Sequence, residues 1–343
     1  MYLGQTTGEV KMAGKYTLKG FHSVEIKKSV HQIAQSAKLT LPTSAVIRNH
    51  QITERIKIAD FIKEGDSISI AFGYNGANSV EFTGYIKSIN YATPLEIECE
   101  DEMYLFRNTP IKASFDNLDI RNVLAKIAGE VSAKWALPYS FFDNMPQIKV
   151  QNFIANNQSA IWALQQLKDW YPMLGIYLTY INGEKTLYCG LLYQDLGKDR
   201  PKYGLSGAIN NTVSAKELKY QTVAKTVKVI WKLRKPDGTM IVREIGDANA
   251  ELVIKKSEPI PYDIPEALLQ QMSEQEKVQK NYVGYNGKFT TFLTPACDFG
   301  SIANLNDPQF PDRSGNYFIG TVTTKFGTQT GGRRELEIDF RLR

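Results

Sequence analysis

The amino-acid sequence predicts a mainly β protein with an α+β insertion, in which two similar antiparallel β-barrels are separated by a mixed α/β region. Apolar and polar residues alternate with period two near both ends of the chain, which is typical of strands with one buried face. Between these ends, two segments have apolar residues at helical spacing, and an Asn-Gly step separates two apolar runs. We therefore predict a first barrel over residues 1–107, a middle region over 108–203 and a second barrel over 204–343.

The length and composition limit the classes of protein to which the chain can belong. Its 343 residues are enough for about two domains, and 43% hydrophobic with 22% charged residues is typical of a folded globular protein. No apolar run approaches the roughly 18 residues of a membrane helix, and residues 1–10 lack the parts of a signal peptide, so we expect no stable membrane insertion. The excess of 41 basic over 36 acidic residues is small, so we expect no sequence-specific nucleic-acid partner.

Three cysteines, Cys99, Cys189 and Cys297, are widely separated and form no CxxC pair. This spacing fits neither a disulfide framework nor a zinc site, and it favours a reducing, cytosolic compartment. Because each cysteine is flanked by alternating apolar residues, we expect all three to be small buried residues within strands.

The first third of the chain is predicted to be an antiparallel meander. Ile68, Ile70 and Phe72 alternate with small or polar residues, which indicates a half-buried strand. Turn-forming residues separate it from similar runs downstream, and shorter runs upstream supply enough strands to close a small barrel. The predicted strands cover residues 23–26, 37–41, 67–74, 80–91 and 95–100.

The middle region has two predicted amphipathic helices. One covers residues 119–131, where Asp116 or Asn117 is expected to cap the N-terminus. The second covers residues 159–171 and is ended by Pro172. A β-hairpin is expected directly afterwards.

That hairpin is predicted by Asn182-Gly183, which lies between apolar runs at 175–180 and 185–191. Asn-Gly is among the strongest short hairpin signals, because both residues tolerate the positive φ angles of a tight turn. The middle region therefore mixes helices with strands, unlike the regions on either side.

Strand patterns return in the last part of the chain. Residues 227–234 alternate strictly, and a Lys-Pro-Asp-Gly turn at 235–238 leads into a second run at 240–245. A polar surface helix is expected near 265–282, beginning at Pro265. The final residues alternate again, so the chain is predicted to end in a strand of the second barrel.

No catalytic or metal-binding group emerges from the sequence. The histidines have no metal-ligand spacing, and they are His22, His31 and His50. Four carboxylates lie close enough in the sequence to suit a paired acid and base, namely Glu98, Glu100, Asp101 and Glu102. We interpret Glu98 and Glu100 instead as the solvated polar face of a strand. The glycine-rich stretches lack the Gly-Lys-Ser/Thr ending of a phosphate loop, so no enzyme and no cofactor are expected.

One cluster of charge does stand out. Lys228, Lys232 and Arg234 share one side of a predicted strand, with Lys225 and Lys235 at its ends. The other side of this strand must face the core, because it carries Val227, Val229, Trp231 and Leu233. We predict that the basic face lies at an inter-subunit or channel-facing surface, and a solvated outer face is the alternative.

The order of several short motifs resembles a known family. Phe61–Ile70, Phe82–Ile86 and Cys99–Asp101 with Leu105 are similar to the first barrel of baseplate hub proteins of contractile-tailed phages. This is the late control protein D family, which is related to the N-terminal part of type VI secretion spike proteins. The similarity continues through the segments Phe115–Ile127, Ser159–Leu167, Ser314–Ile319 and Lys325–Gly327. One departure is the segment 298–312, which is longer and richer in Asn, Asp and Pro than the family pattern.

The resemblance implies a function and a set of partners. It implies a homotrimer that joins the hexameric tail tube to the trimeric central spike, located in the virion tail baseplate and assembled in the bacterial host cytoplasm. Its partners would be the spike protein, tail tube or tube-initiator proteins and other baseplate proteins, and no enzymatic activity is implied. The alternatives are a cell-wall hydrolase of the same particle and a carbohydrate- or receptor-binding β protein.

The two strand-rich ends are predicted to be copies of one barrel. Gly65, Ile68 and Ile70 run in the same order as Gly300, Ile302 and Leu305, and later motifs follow in both halves. Three subunits with two similar barrels each would form a pseudo-sixfold ring, which suits a sixfold tube. The prediction requires the same strand order in both halves.

Overall fold

The computed structural model describes residues 5–49, 52–207, 210–257, 260–327 and 331–342. Strands dominate it, and most neighbouring strands are antiparallel, so the predicted fold class is confirmed. The strands of the first third are β1 Thr6–Met12, β2 Tyr16–Lys19, β3 Ser23–Ser29, β4 Ser36–Leu41, β5 Ser44–Asn49, β6 Ile52–Lys57, β7 Ser67–Tyr74, β8 Ala77–Asn90 and β9 Leu95–Glu100. Except for the separate β5–β6 hairpin, they lie side by side in the order β3-β4-β9-β8-β7-β1-β2.

The middle region mixes helices with small sheets. Its elements are α1 Met103–Arg107, β10 Pro110–Phe115, β11 Leu118–Asp119, α2 Ile120–Trp135, β12 Ser140–Phe141, β13 Lys149–Val150, β14 Phe153–Ser159, α3 Ala160–Trp170, β15 Leu174–Ile181 and β16 Glu184–Leu191. The cap of α2 is Asp119, whose carboxylate accepts the N–H of Arg121, so the predicted cap at Asp116 or Asn117 is wrong. The Asn182-Gly183 hairpin is confirmed, and both residues have positive φ angles of 52° and 82°.

The last part of the chain contains β17 Lys202–Gly204, β18 Thr212–Ser214, β19 Leu218–Gln221, β20 Val227–Arg234, β21 Met240–Gly246, β22 Leu252–Lys255, β23 Ile260–Pro261, α4 Glu266–Val278, β24 Gly284–Thr291, β25 Ser301–Asn306, β26 Gly315–Gly327 and β27 Gly331–Arg341. The span 204–343 was predicted as the second barrel, and residues 227–245 within it as a barrel or sheet hairpin. The hairpin is present as β20 and β21, which form a sheet with β22 and β23 that is separate from the main sheet. The reason is that α4 covers their apolar face, where Trp231 is fully buried and donates to Ser273 Oγ at 2.8 Å.

Both halves of the chain use one strand order. The first half has β1-β7-β8-β9-β4-β3, and the second has β17-β25-β26-β27-β24-β19. When β2, β5, β6, β18 and the separate β20–β23 sheet are left out, both orders, counted along the chain within each half, are first, fourth, fifth, sixth, third and second. One difference is that β1 runs antiparallel to β7, whereas β17 runs parallel to β25. The strand order that the predicted duplication requires is therefore present.

Local details support the same equivalence. The N–H of Gly65 donates to the carbonyl of Ile86 at 2.8 Å, and the N–H of Gly300 donates to the carbonyl of Ile319 at 2.8 Å. These glycines have φ of 88° and 72°, a left-handed conformation that other residues rarely adopt. A register shift follows each isoleucine directly, between Ile86 and Ser88 in β8 and between Ile319 and Thr321 in β26.

The two halves are not separate sheets. The first part of β26 pairs with β25, and its second part, Thr321 to Gly327, pairs antiparallel with β3. This junction produces one continuous sheet of 14 strands. Phe326 of β26 stacks on Phe72 of the first half with ring centroids 4.7 Å apart, so the core of the first half includes a residue of the second.

Candidate functional site

The carboxylates singled out in the sequence serve different purposes in the structure. Glu98 is exposed and pairs with Lys38 of the neighbouring strand at 3.3 Å, as a solvated strand face predicts. Glu100 is only 4% exposed and forms a two-point ion pair with Arg107, whose Nε lies 2.8 Å from Oε2. Placing Glu100 on the solvated face was therefore wrong. The reason is that α1 follows β9 directly and brings Arg107 to it.

Asp101 and Glu102 lie where the first barrel meets the middle region. Asp101 accepts the N–H of Met103 at 3.0 Å, and burial raises the pKa of its carboxyl to about 7. Glu102 binds Lys185 Nζ at 2.6 Å and thereby ties the β15–β16 hairpin to the first barrel. Both line a cavity of about 400 Å³ together with Lys185. Because Asp101 holds the start of α1 and Glu102 joins two regions, we interpret both carboxylates as structural.

The described histidines and the cysteines form no catalytic arrangement within the part of the chain that the structure covers. His31 Nε2 lies 2.9 Å from Asp339 Oδ2, His22 is exposed, and His50 lies outside the described residues. Across the part of the chain that the structure describes, no group of three or more His, Cys, Asp or Glu is placed to hold a metal ion. The cysteines are buried, and burial raises each thiol pKa to about 12. Cys297 precedes β25, so its predicted position within a strand was wrong.

The solvent-facing side of the continuous sheet is an organised polar surface. Cross-strand ion pairs run along it, and they join Lys38 to Glu98 at 3.3 Å, Lys288 to Glu335 at 3.2 Å and Lys325 to Glu25 at 3.8 Å. The last pair crosses the junction between β26 and β3. The polar side is therefore continuous across both halves, and its opposite charges neutralise one another locally.

The predicted basic face lies on the outer side of the β20–β23 sheet. Lys232 and Arg234 are exposed, and Lys228 pairs with Glu244 at 3.3 Å. The strand register places Val242 opposite Lys232, and Val242 is 54% exposed. Two further exposed apolar residues share this face, Met240 opposite Arg234 and Val253 opposite Lys228. The face thus carries cations together with exposed apolar side chains. A surface that contacts only solvent does not require such apolar side chains.

Sequence analysis missed a buried ion pair between the halves. Arg334 of β27 binds Glu81 of β8 at 2.6 Å, with side chains 5% and 9% exposed. A signal was present, because the alternation of β27 places Arg334 on the same side as Leu336 and Ile338. A cation on the apolar side of a strand requires a buried partner.

Comparison with known proteins identifies the fold. None of the helices within the described ranges is long and apolar enough to cross a membrane. No protein-family model and no curated protein matches the sequence. Among solved structures, a tail protein from Neisseria meningitidis MC58 is similar with a TM-score of 0.66 and 12% identity, covering 97% of this chain and 96% of that one.

Two further structures are similar over nearly the whole chain. The 43 kDa tail protein of prophage MuSo2 from Shewanella oneidensis has a TM-score of 0.59 and 12% identity, covering 97% of this chain and 98% of that one. A component of the type VI secretion system of E. coli, itself similar to two tail proteins of bacteriophage T4, has a TM-score of 0.57 and 9% identity, covering 97% of this chain and 78% of that one. At these low identities the likeness is one of fold, and the chain has the fold of these phage tail and type VI secretion proteins.

Proposed function

We propose that the protein is the structural baseplate hub of a phage tail or a phage-like injection machine. In this role it is a trimeric adaptor that joins the hexameric tail tube to the trimeric central spike in the virion baseplate. The fold, which is shared with phage tail proteins, supports the proposal over 97% of the chain. The observation that carries it is that one chain contains two halves with the same strand order.

The repeated strand order suits an adaptor between a threefold spike and a sixfold tube. A threefold spike and a sixfold tube have different numbers of equivalent contacts, so an adaptor between them needs both symmetries. Three copies of this chain present six similar halves at one end while remaining a trimer. The β26–β3 junction inside the chain already joins two halves side by side in one sheet. The hub is this side-by-side arrangement, repeated around a ring.

In such a ring, we place the polar side of the continuous sheet toward the central channel. Its apolar side is already occupied by the two cores, so only the polar side remains for the channel wall. The cross-strand ion pairs leave this wall with little net charge. A neutral wall attracts neither a polyanion nor a basic protein strongly, and cargo passes along it without being retained.

We place the basic face of Lys228, Lys232 and Arg234 at an inter-subunit or channel-facing contact with another tail component. The exposed Met240, Val242 and Val253 beside it would be covered by such a partner, which is the usual use of apolar side chains on a surface. The cations favour an acidic partner surface.

This role requires no chemistry of the chain itself, and we propose no enzymatic activity. The carboxylates that a cell-wall hydrolase would use are engaged in ties between elements, as in Glu100 with Arg107 and Glu102 with Lys185. A hydrolase needs one protonated and one free carboxyl facing a substrate cleft.

Negative-stain electron microscopy of the purified protein tests the hub. We expect ring-shaped top views with threefold symmetry, six similar lobes and a central opening. Elongated or twofold particles without an opening would contradict the proposal.

A further inference from the structure

Building on the trimeric hub proposed above, we infer which strand edges join neighbouring subunits. Residues 88–91, which are the last three residues of β8 and the residue after it, pair antiparallel with β19, Leu218–Gln221, of a second copy of this chain. This contact repeats between subunits the β26–β3 junction that exists within each subunit. The register of the β26–β3 junction sets the register of this contact.

The template is fully defined in the structure. After its register shift, β26 turns one edge to β3 with Thr321 opposite Ser29, Val322 opposite Lys28 and Thr324 opposite Ile26. Val322, Thr324 and Ile26 are each at most 3% exposed, so these side chains are buried on the inner side of the junction.

The equivalent edge in the first half follows from the shared register shift. The shift follows Ile319 in β26 and Ile86 in β8, and the glycine hydrogen bonds described above fix these isoleucines as equivalent. Ser88 therefore corresponds to Thr321. By the same count, Ile89 corresponds to Val322 and Tyr91 to Thr324.

The equivalent of β3 in the second half is β19. In the first half, Cys99 lies opposite Ala37, which lies opposite Ile26. In the second half, Ile338 lies opposite Ile319 and is therefore equivalent to Cys99. Ile338 also lies opposite Gly287, which in turn lies opposite Leu218. Leu218 thus corresponds to Ile26.

Combining the two equivalences fixes the register of the contact. Ser88 lies opposite Gln221, Asn90 opposite Lys219, and Tyr91 opposite Leu218 of the second copy. Within the described parts of the single chain, the outer edge of β19 pairs with no strand. Beyond Ile86, the edge of β8 that faces away from β9 also pairs with no described strand. Open edges of this kind are usually covered in a native assembly.

The side chains match the two environments of the template. Ile89, Tyr91, Leu218 and Tyr220 occupy positions whose equivalents line the inner side. Tyr91 is 68% exposed in the single chain, and the contact would cover it. On the polar side, Asn90 donates to Glu96 at 3.3 Å, so Lys219 of the second copy would meet a carboxylate there. Because the contact joins different edges, it repeats head to tail, and in a threefold hub three such contacts close the ring.

Cysteine cross-linking tests the register. In an Asn90→Cys/Lys219→Cys chain, directly opposite residues bring the two thiols within reach of a disulfide. The native cysteines are buried and do not interfere. Mild oxidation should convert most of the protein to covalent dimers and trimers on a non-reducing gel. A Thr83→Cys/Lys219→Cys chain is the control, since Thr83 is an exposed residue of β8 that pairs with Ser69, and it should remain monomeric on the same gel.

The outcomes separate this inference from the hub proposal. If the parent protein sediments as a trimer but the Asn90–Lys219 pair links no better than the control pair, the edge contact is wrong and the hub stands. A parent protein that sediments as a single chain would overturn both.

A second variant needs no cross-link. Tyr91→Asp places a charge on a side chain that is exposed in the single chain, so the subunit should fold as before. We expect trimer dissociation at a protein concentration at least tenfold higher than for the parent in analytical ultracentrifugation. Val80→Asp, at an exposed position near the other end of β8, should leave the trimer intact. Equal effects of the two changes would contradict the assigned edge.

Discussion

Arg334 of β27 and Glu81 of β8 form a 2.6 Å ion pair inside the protein, although they are separated by 253 residues in the sequence. Arg334 also donates to the carbonyl of Leu293 and to Thr324 Oγ1, each at 3.1 Å, and Ser79 donates to Glu81 at 2.8 Å. The pair is thus extensively hydrogen-bonded, which a buried ion pair requires to offset its desolvation. It fixes the first half of the continuous sheet against the second.

Breaking this pair should strongly destabilise the fold. Arg334→Met leaves the Glu81 carboxylate buried without its partner, and we expect the free energy of unfolding to fall by about 3–5 kcal/mol. Denaturant unfolding followed by tryptophan fluorescence measures this change. Arg334→Met combined with Glu81→Leu should recover much of the loss, because no unpaired charge then remains.

A surface pair between the same two halves of the chain provides the control. Lys325→Met removes the contact to Glu25, whose partner atoms lie 3.8 Å apart in exposed side chains. Exposed pairs contribute at most about 1 kcal/mol. Similar losses for Lys325→Met and Arg334→Met would show that the buried pair has no special role.

The half-buried carboxyl of Asp101 should make stability depend on pH. Burial raises its folded-state pKa to about 7, above its value in the unfolded chain. Between the two pKa values, the folded protein therefore holds a proton that the unfolded chain has lost. The protonated carboxyl stabilises the fold fully at low pH, and this stabilisation is lost as the pH rises through 7. Compared with Asp101→Asn, the parent should lose stability between pH 5 and 7 by up to about 1.4 kcal/mol per unit. Parallel pH profiles of the two proteins would contradict this.

The cysteines should be unreactive in the folded protein. Cys99, Cys189 and Cys297 are buried, and burial raises their thiol pKa to about 12, so almost no thiolate is present at pH 8. Ellman's reagent should detect less than one thiol per native chain and all three after denaturation. Rapid labelling of a native thiol would show that the region around it opens readily.

Charge reversal on the basic face tests its proposed contact. Lys232→Glu with Arg234→Glu alters two exposed side chains, so the free energy of unfolding should change by no more than about 0.5 kcal/mol. Co-purification with the spike or tube protein encoded beside the chain should fall at least tenfold. Lys63→Glu, an exposed position in the first half, is the control. Unchanged binding by the double variant would leave the face without a role in these contacts.

The local elements were largely predictable from the sequence, because their signals are local. Strict alternation predicted β7, β20 and β27, and apolar stripes predicted α2 and α3. Alternation shows that a strand has one buried side but does not show which element covers it. For this reason the span 204–343, which includes β20 and β21, was predicted as the second barrel, although α4 covers these strands in a sheet of their own.

The assembly surfaces were less predictable, because they depend on contacts between distant segments. The basic residues Lys228, Lys232 and Arg234 do share one face, since a period of two fixes this within a single strand. The β26–β3 junction pairs Thr321 with Ser29, and no local pattern in either segment specifies the other. The continuous polar wall and the free edges of β8 and β19 could be recognised only once this junction was known.

The mass of the purified protein in solution tests the central claim most directly, since the hub requires three chains. Light scattering or sedimentation at tens of micromolar should give three times the 38.7 kDa mass of one chain. A mass of one chain at that concentration, with no ring-shaped particles in the same sample, would contradict the trimeric hub.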